Sequence, residues 1–112
     1  MKIKINRHIR EILIYAGYTG NSTLESLNNF LKRYNLEIST DIAFDYKDFK
    51  EYYFSCINDY SENKNLKCNI EFDNEDDAIN NAVEKVIEII EFNNDIDDTD
   101  LQNENWSLNK IA

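Results

Sequence analysis

Apolar positions along the chain change their period several times, and each change marks an element. Over residues 1–6 they alternate, with Ile3 and Ile5 on one side and Lys2 and Lys4 on the other, which predicts a short half-buried strand. From His8 onward Ile9, Ile12, Leu13 and Ala16 recur at helical spacing, and Gly17 follows as a C-terminal cap. Ser22 and Glu25 then form an S-x-x-E capping box, in which each side chain satisfies an otherwise unpaired backbone N–H. Behind it Leu24, Leu27, Phe30, Leu31 and Tyr34 make the stripe of a second helix.

The middle of the chain is harder to assign. Leu36 and Ile38 alternate, Ser-Thr-Asp interrupts, and Ile42 and Phe44 resume, so residues 36–44 read as two short extended pieces or one bent strand. After Asp45, a candidate cap, Phe49, Tyr52, Tyr53, Cys56, Ile57 and Tyr60 fall at i, i+3, i+4, i+7, i+8 and i+11. That spacing predicts a third helix with an aromatic stripe. An Asn-rich turn at 63–65 leads to Leu66, Cys68, Ile70 and Phe72, which alternate with polar residues as a strand should. Asp73 or Asn74 then caps the longest helix, which runs to about Phe92 and faces inward with Ala78, Ile79, Ala82, Val83, Val86, Ile87 and Ile90.

Residues 93–112 lack a sustained period and form an acidic C-terminal arm. Within it Trp106, Leu108 and Ile111 are spaced to dock the arm, either as a strand on the domain or onto a partner. No internal repeat is evident. The expected architecture is a small α+β domain over residues 1–92, with about four helices packed on a short sheet of two to four strands, followed by the arm.

Composition agrees with one folded domain: 112 residues, no proline, two glycines and 42% apolar positions. The polar start and the lack of any apolar run near the roughly 18 residues of a membrane span predict a cytoplasmic protein with no membrane contact. In such a reducing compartment Cys56 and Cys68, each on the apolar phase of its own segment, read as buried thiols and not as a disulfide.

Charge adds more. Twelve Lys and Arg stand against 22 Asp and Glu, a formal charge of −10. Direct nucleic-acid binding is disfavoured, since each phosphate contact normally needs a cation. The imbalance is uneven: residues 1–35 carry +4, whereas residues 73–104 carry twelve acids against Lys85 alone. Asp73, Glu75, Asp76 and Asp77 suit the start of the last helix, where anions complement the helix dipole. Glu84, Glu88 and Glu91 gain nothing of the kind; they share the outward face with Asp77 and Asn81, repel one another and approach the end that disfavours anions. Asp95, Asp97, Asp98 and Asp100 prolong the same field.

Enzymatic readings run short of residues. The one histidine, His8, has no local context linking it to Cys56 or Cys68 as base to nucleophile. Gly17 and Gly20 lack the count and the following Lys-Ser of a phosphate loop, and two cysteines with one histidine over three elements lack zinc spacing. Asn93, Asp95, Asp97, Thr99 and Glu104 match the ligand phase of a calcium loop, but Asp98 replaces its glycine and Asp100 its apolar residue. No cofactor or metal is called for. Helices one and two resemble a helix-turn-helix only at low resolution. The tyrosines Tyr46, Tyr52, Tyr53 and Tyr60 have only Lys47 and Lys50 as the basic neighbours a single-strand platform needs.

What remains is a non-enzymatic, acidic binding protein. A nuclease holds a positive cleft because its substrate is a polyanion, and an acidic protein can occupy that cleft or its flank. In general character, through the MKIKINRHIREIL start, the single α+β domain and the EDDAINNAVEKVIEIIEFNNDIDDTD region, the chain resembles the small acidic immunity proteins of bacterial toxin systems, including contact-dependent growth inhibition. The resemblance carries no motif. It implies a one-to-one inhibitory complex of a monomer with a cognate toxin domain, often a nuclease. The expected partner-facing residues are Asp77, Glu84, Glu88, Glu91, Asp95, Asp97, Asp98 and Asp100, with Trp106 as anchor and Tyr53 and Tyr60 as further aromatic candidates. Two alternatives stand beside it: a phage inhibitor of a defence nuclease, such as an anti-CRISPR that mimics nucleic acid, and a small regulatory subunit whose acids serve solubility alone.

Overall fold

A computed structural model describes residues 2–19, 22–91 and 106–110; the side chains of Glu91 and of residues 108–110 are not described. Among these residues the chain forms α1 (Arg7–Tyr15), α2 (Leu24–Leu31) with a 3-10 turn (Lys32–Tyr34), β1 (Leu36–Asp45), β2 (Lys50–Asp59), β3 (Lys64–Cys68), α3 (Glu75–Glu91) and β4 (Trp106–Lys110). The fold is α+β, and the described residues make three α-helices and one four-stranded antiparallel sheet in the order β1-β2-β3-β4.

Several boundaries follow from local chemistry. Helix α1 stops because Gly17 takes φ +112°, letting Gly17 N donate to Ile14 O and Tyr18 N to Leu13 O, a Schellman closure that buries Tyr18 beside Leu13. Helix α2 starts one residue later than the capping box predicts. Thr23, not Ser22, is the cap, its Oγ1 accepting from Ser26 N at 3.0 Å, while Ser22 uses its carbonyl to receive Ile3 N. Asn74 is the side-chain cap at the start of α3, its Oδ1 accepting from Asp77 N at 2.9 Å.

The predicted third helix is a strand. β1 pairs with β2 in an unbroken register from Leu36↔Asp59 to Asp45↔Lys50, so residues 36–45 are one continuous strand and 50–59 its partner. In β2, Ser55 and Ile57 are buried toward the helices, while Tyr52, Phe54 and Cys56 lie half-buried on the opposite face. Apolar residues on both faces erased the alternation that would have marked a strand.

The predicted N-terminal strand is also corrected. Residues 3–6 pass beside α3 without joining the sheet, and Lys2 alone makes a bridge, to Thr23. Side chains of α3 satisfy the backbone here: Lys4 N donates to Asp76 Oδ1, and buried Asn80 accepts from Asn6 N and donates to Lys4 O and Asp76 O. Ile3 therefore reaches the core without a ladder partner.

α3 lies over β1 and β2, α2 over β1, and α1 against α3, so all the helices cover one face of the sheet. The core between them holds Leu13, Leu27, Leu31, Ile38, Ile57, Leu66, Ile79, Val83 and Val86, all essentially inaccessible to water. Trp106 joins them at 5% exposure. Both cysteines are free, Cys68 on the core face and Cys56 on the open one, and burial pushes both thiols above their ordinary pKa. Among the described residues no helix is long and apolar enough to cross a membrane.

Candidate functional site

Two surfaces lie outside this core. The first is the solvent face of α3. Asp77, Glu84 and Glu88 are exposed there, spread over eleven residues or about 16 Å of helix. The acids at the helix start are engaged within the chain. Lys50 Nζ meets Asp73 at 2.8 Å, Thr40 Oγ1 donates to Glu75, Lys4 N donates to Asp76 and Asn74 Nδ2 donates to Asp77. Farther along, Glu84 has no ion pair among the described residues, and Glu88 has only the Lys85 ammonium at 3.7 Å. Lys85 itself is buried on the flank, so the face it borders stays anionic. Glu91 closes the helix at the same phase, while Asp95, Asp97, Asp98 and Asp100, and the calcium-loop spacing over 93–104, lie outside the described residues.

Trp106 does not join this surface. Its ring is buried in the chain's own core at the start of β4, which pairs with β3 through Cys68↔Trp106 and Leu66↔Leu108. Tyr53 is half-buried, and Tyr60 is exposed but donates its hydroxyl to Glu37 at 3.0 Å. His8 is exposed on α1, whereas the cysteines lie on β2 and β3. Among the described residues no three His, Cys, Asp or Glu side chains converge on a possible metal position.

The second surface escapes the sequence pattern because only Ile42 and Phe44 read as extended, while Tyr46 and Phe49 read as the start of a helix. α3 begins beside Thr40, so among the described residues no helix covers the β1–β2 hairpin beyond that point. There Ile42 is 52% exposed, Phe44 45%, Tyr46 79% and Phe49 80%. The rings of Phe44 and Tyr46 meet edge to face at 4.9 Å. Lys50 lies over the Tyr52 ring, and the Tyr52 hydroxyl leans on Asp48 at 3.4 Å. A signal for this hairpin exists in the sequence, short of a repeat: Asp45-Tyr46-Lys47-Asp48-Phe49-Lys50 and, fourteen residues later, Asp59-Tyr60-Ser61-Glu62-Asn63-Lys64 share an Asp-Tyr start, an acid in the fourth position and a closing lysine. Two matching turns that far apart leave ten residues between them, enough for one strand.

Compared with protein-family models, curated proteins and solved structures, the chain matches none.

Proposed function

We propose that this protein is a non-catalytic inhibitor that binds a cationic partner one to one, a toxin domain of the nuclease kind, through its acidic surface and so neutralises it. The observation that carries this reading is the middle of α3. Glu84 and Glu88 are solvent-facing carboxylates on one helix face, past the turn where the helix dipole favours anions, and among the described residues Lys85, the cation paired with Glu88, is buried. Clustering of this sort weakens the helix slightly and suits a positively charged complement. Opposite fields also hasten the encounter, up to about 10⁸–10⁹ M⁻¹s⁻¹ at low salt, which serves a protein that must act before damage accumulates.

Glu84, Glu88 and Glu91 are reversed to Lys together, and the variant is assayed for protection of cells against the cognate toxin, identified by pull-down from the native host. Protection is lost while the circular dichroism spectrum stays native. Raising NaCl from about 0.05 to 0.5 M slows association of the wild-type chain. Full protection by the triple variant, or a salt-independent rate, overturns the assignment of this face.

A further inference from the structure

The two matching turns let one residue be compared with its own counterpart. Asp45 pairs with Lys50 and Asp59 with Lys64, so each turn spans four residues. In each, the leading aspartate accepts from the backbone N–H two residues on, Lys47 at 2.8 Å and Ser61 at 3.0 Å. In each, the fourth turn residue is left-handed, with φ 50° at Phe49 and 51° at Asn63. Asn35 occupies the remaining non-glycine position of this kind among the described residues. Asparagine tolerates that backbone conformation and a bulky side chain does not. The second turn thus shows which residue suits the position, and the first turn carries phenylalanine instead. Its ring is four-fifths exposed, so burial within this chain does not offset the strain.

Three more apolar side chains of the same hairpin, Ile42, Phe44 and Tyr46, are exposed, and the rings of Phe44 and Tyr46 meet. Acidic residues are interleaved with them along the hairpin, Asp41 and Asp45 in β1, Asp48 in the turn and Glu51 paired opposite Phe44, against Lys47 and a Lys50 already tied to Asp73 at 2.8 Å. A second copy of the chain would bring the same net charge of −10 and the same hairpin carboxylates, so self-pairing is opposed. An exposed apolar tip interleaved with carboxylates fits a cationic protein surface with an apolar hollow.

We infer that the tip of the β1–β2 hairpin is the anchoring contact of this protein: Phe49, Tyr46 and Phe44 enter an apolar hollow on the cationic partner, and its basic rim meets Asp45, Asp48 and Glu51. This rests on the reading of the chain as a binder of a cationic protein, and it supplies the aromatic anchor that buried Trp106 does not.

Two measurements on the full chain test it. In the first, Phe49→Asn raises the urea unfolding midpoint and Asn63→Phe lowers it. A lower midpoint for Phe49→Asn means that the ring serves this chain's own fold and overturns the inference. In the second, the ¹⁵N-labelled chain is titrated at about 0.05 M NaCl with the peptides Lys-Leu-Lys-Leu-Lys-Leu-Lys and Lys-Ser-Lys-Ser-Lys-Ser-Lys. The leucine peptide shifts the amide signals of residues 46–49 and binds Phe49→Asn about tenfold more weakly, while the serine peptide shifts only those around Glu84 and Glu88. If the leucine peptide shifts α3 alone, or binds Phe49→Asn equally well, the hairpin contact is refuted and the electrostatic reading survives. If α3 is silent to both peptides while the hairpin responds, the hairpin contact stands and the assignment of α3 falls.

Discussion

Asp59 serves the fold and strains it with one side chain. Its Oδ1 accepts from Ser61 N and shapes the β2–β3 turn, yet its carboxylate lines a hollow of about 310 Å³ with Arg33, Leu36, Lys64 and Ile90. Burial pushes its pKa above the ordinary value of 3.8, against the opposing pull of the Ser61 and Glu62 backbone N–H groups. A carboxyl whose folded pKa is raised holds its proton more tightly in the native state than in the unfolded one. Its contribution to stability is therefore greatest below the ordinary value and is lost as pH rises through the folded value. Asp59→Asn keeps the turn's acceptor and cannot ionise. The variant is more stable than wild type near pH 7, by roughly a few tenths of a kcal/mol because the site is partly solvated, and equal to it near pH 3.5. Urea midpoints at the two pH values check this; the same difference at both would detach the effect from ionisation.

At the scale of elements, β1 shows how a free edge is managed. It ends the sheet, and the Ile38 backbone turns outward, where the Asn28 amide accepts from Ile38 N at 2.8 Å and donates to Ile38 O at 2.9 Å. One side chain of α2 thus takes the place of a neighbouring strand. Farther along the same edge Asp41 caps Ile42 N with its own carboxylate. Asn28→Ala leaves both Ile38 groups unpartnered and lowers stability by about 1–3 kcal/mol, and the opened edge promotes association. Chemical denaturation and size-exclusion chromatography at rising concentration measure the two effects, and an unchanged denaturation midpoint rules out the bridging role. Elements such as α1 and α3 were legible because each buries one face and leaves the other polar, so the helical period survives in the sequence. β2 was not: Tyr53, Ser55 and Ile57 face the helices and Tyr52, Phe54 and Cys56 the open side, and a mixed run of this kind mimics helical spacing by coincidence. Its enrichment in aromatic residues was the better guide, since such residues favour strands. The acidic half of the candidate site lies on a legible helix and is readable from charge; the aromatic half lies on a hairpin whose first strand reads as extended but whose turn and second strand mimic a helix, so it is not.

For the molecule as a whole, the decisive contacts tie distant parts of the chain to α3 and the sheet. Asn80 fastens residues 4–6 to α3, and β4 returns to cover the edge of β3, burying Trp106. Trp106→Ala removes a buried indole and costs about 3–5 kcal/mol, a large part of the roughly 5–15 kcal/mol by which a domain is stable. The loss also frees β3 to pair with other chains. Because Trp106 is the only tryptophan, its fluorescence reports directly on whether β4 is docked. In the free protein the emission is that of a buried indole and shifts to the red only as the domain unfolds in urea. Adding a saturating partner leaves it unchanged, because contacts at the hairpin tip and on α3 do not uncover the ring. A shift on binding, without unfolding, would mean that the partner displaces β4 and that Trp106 acts between molecules after all.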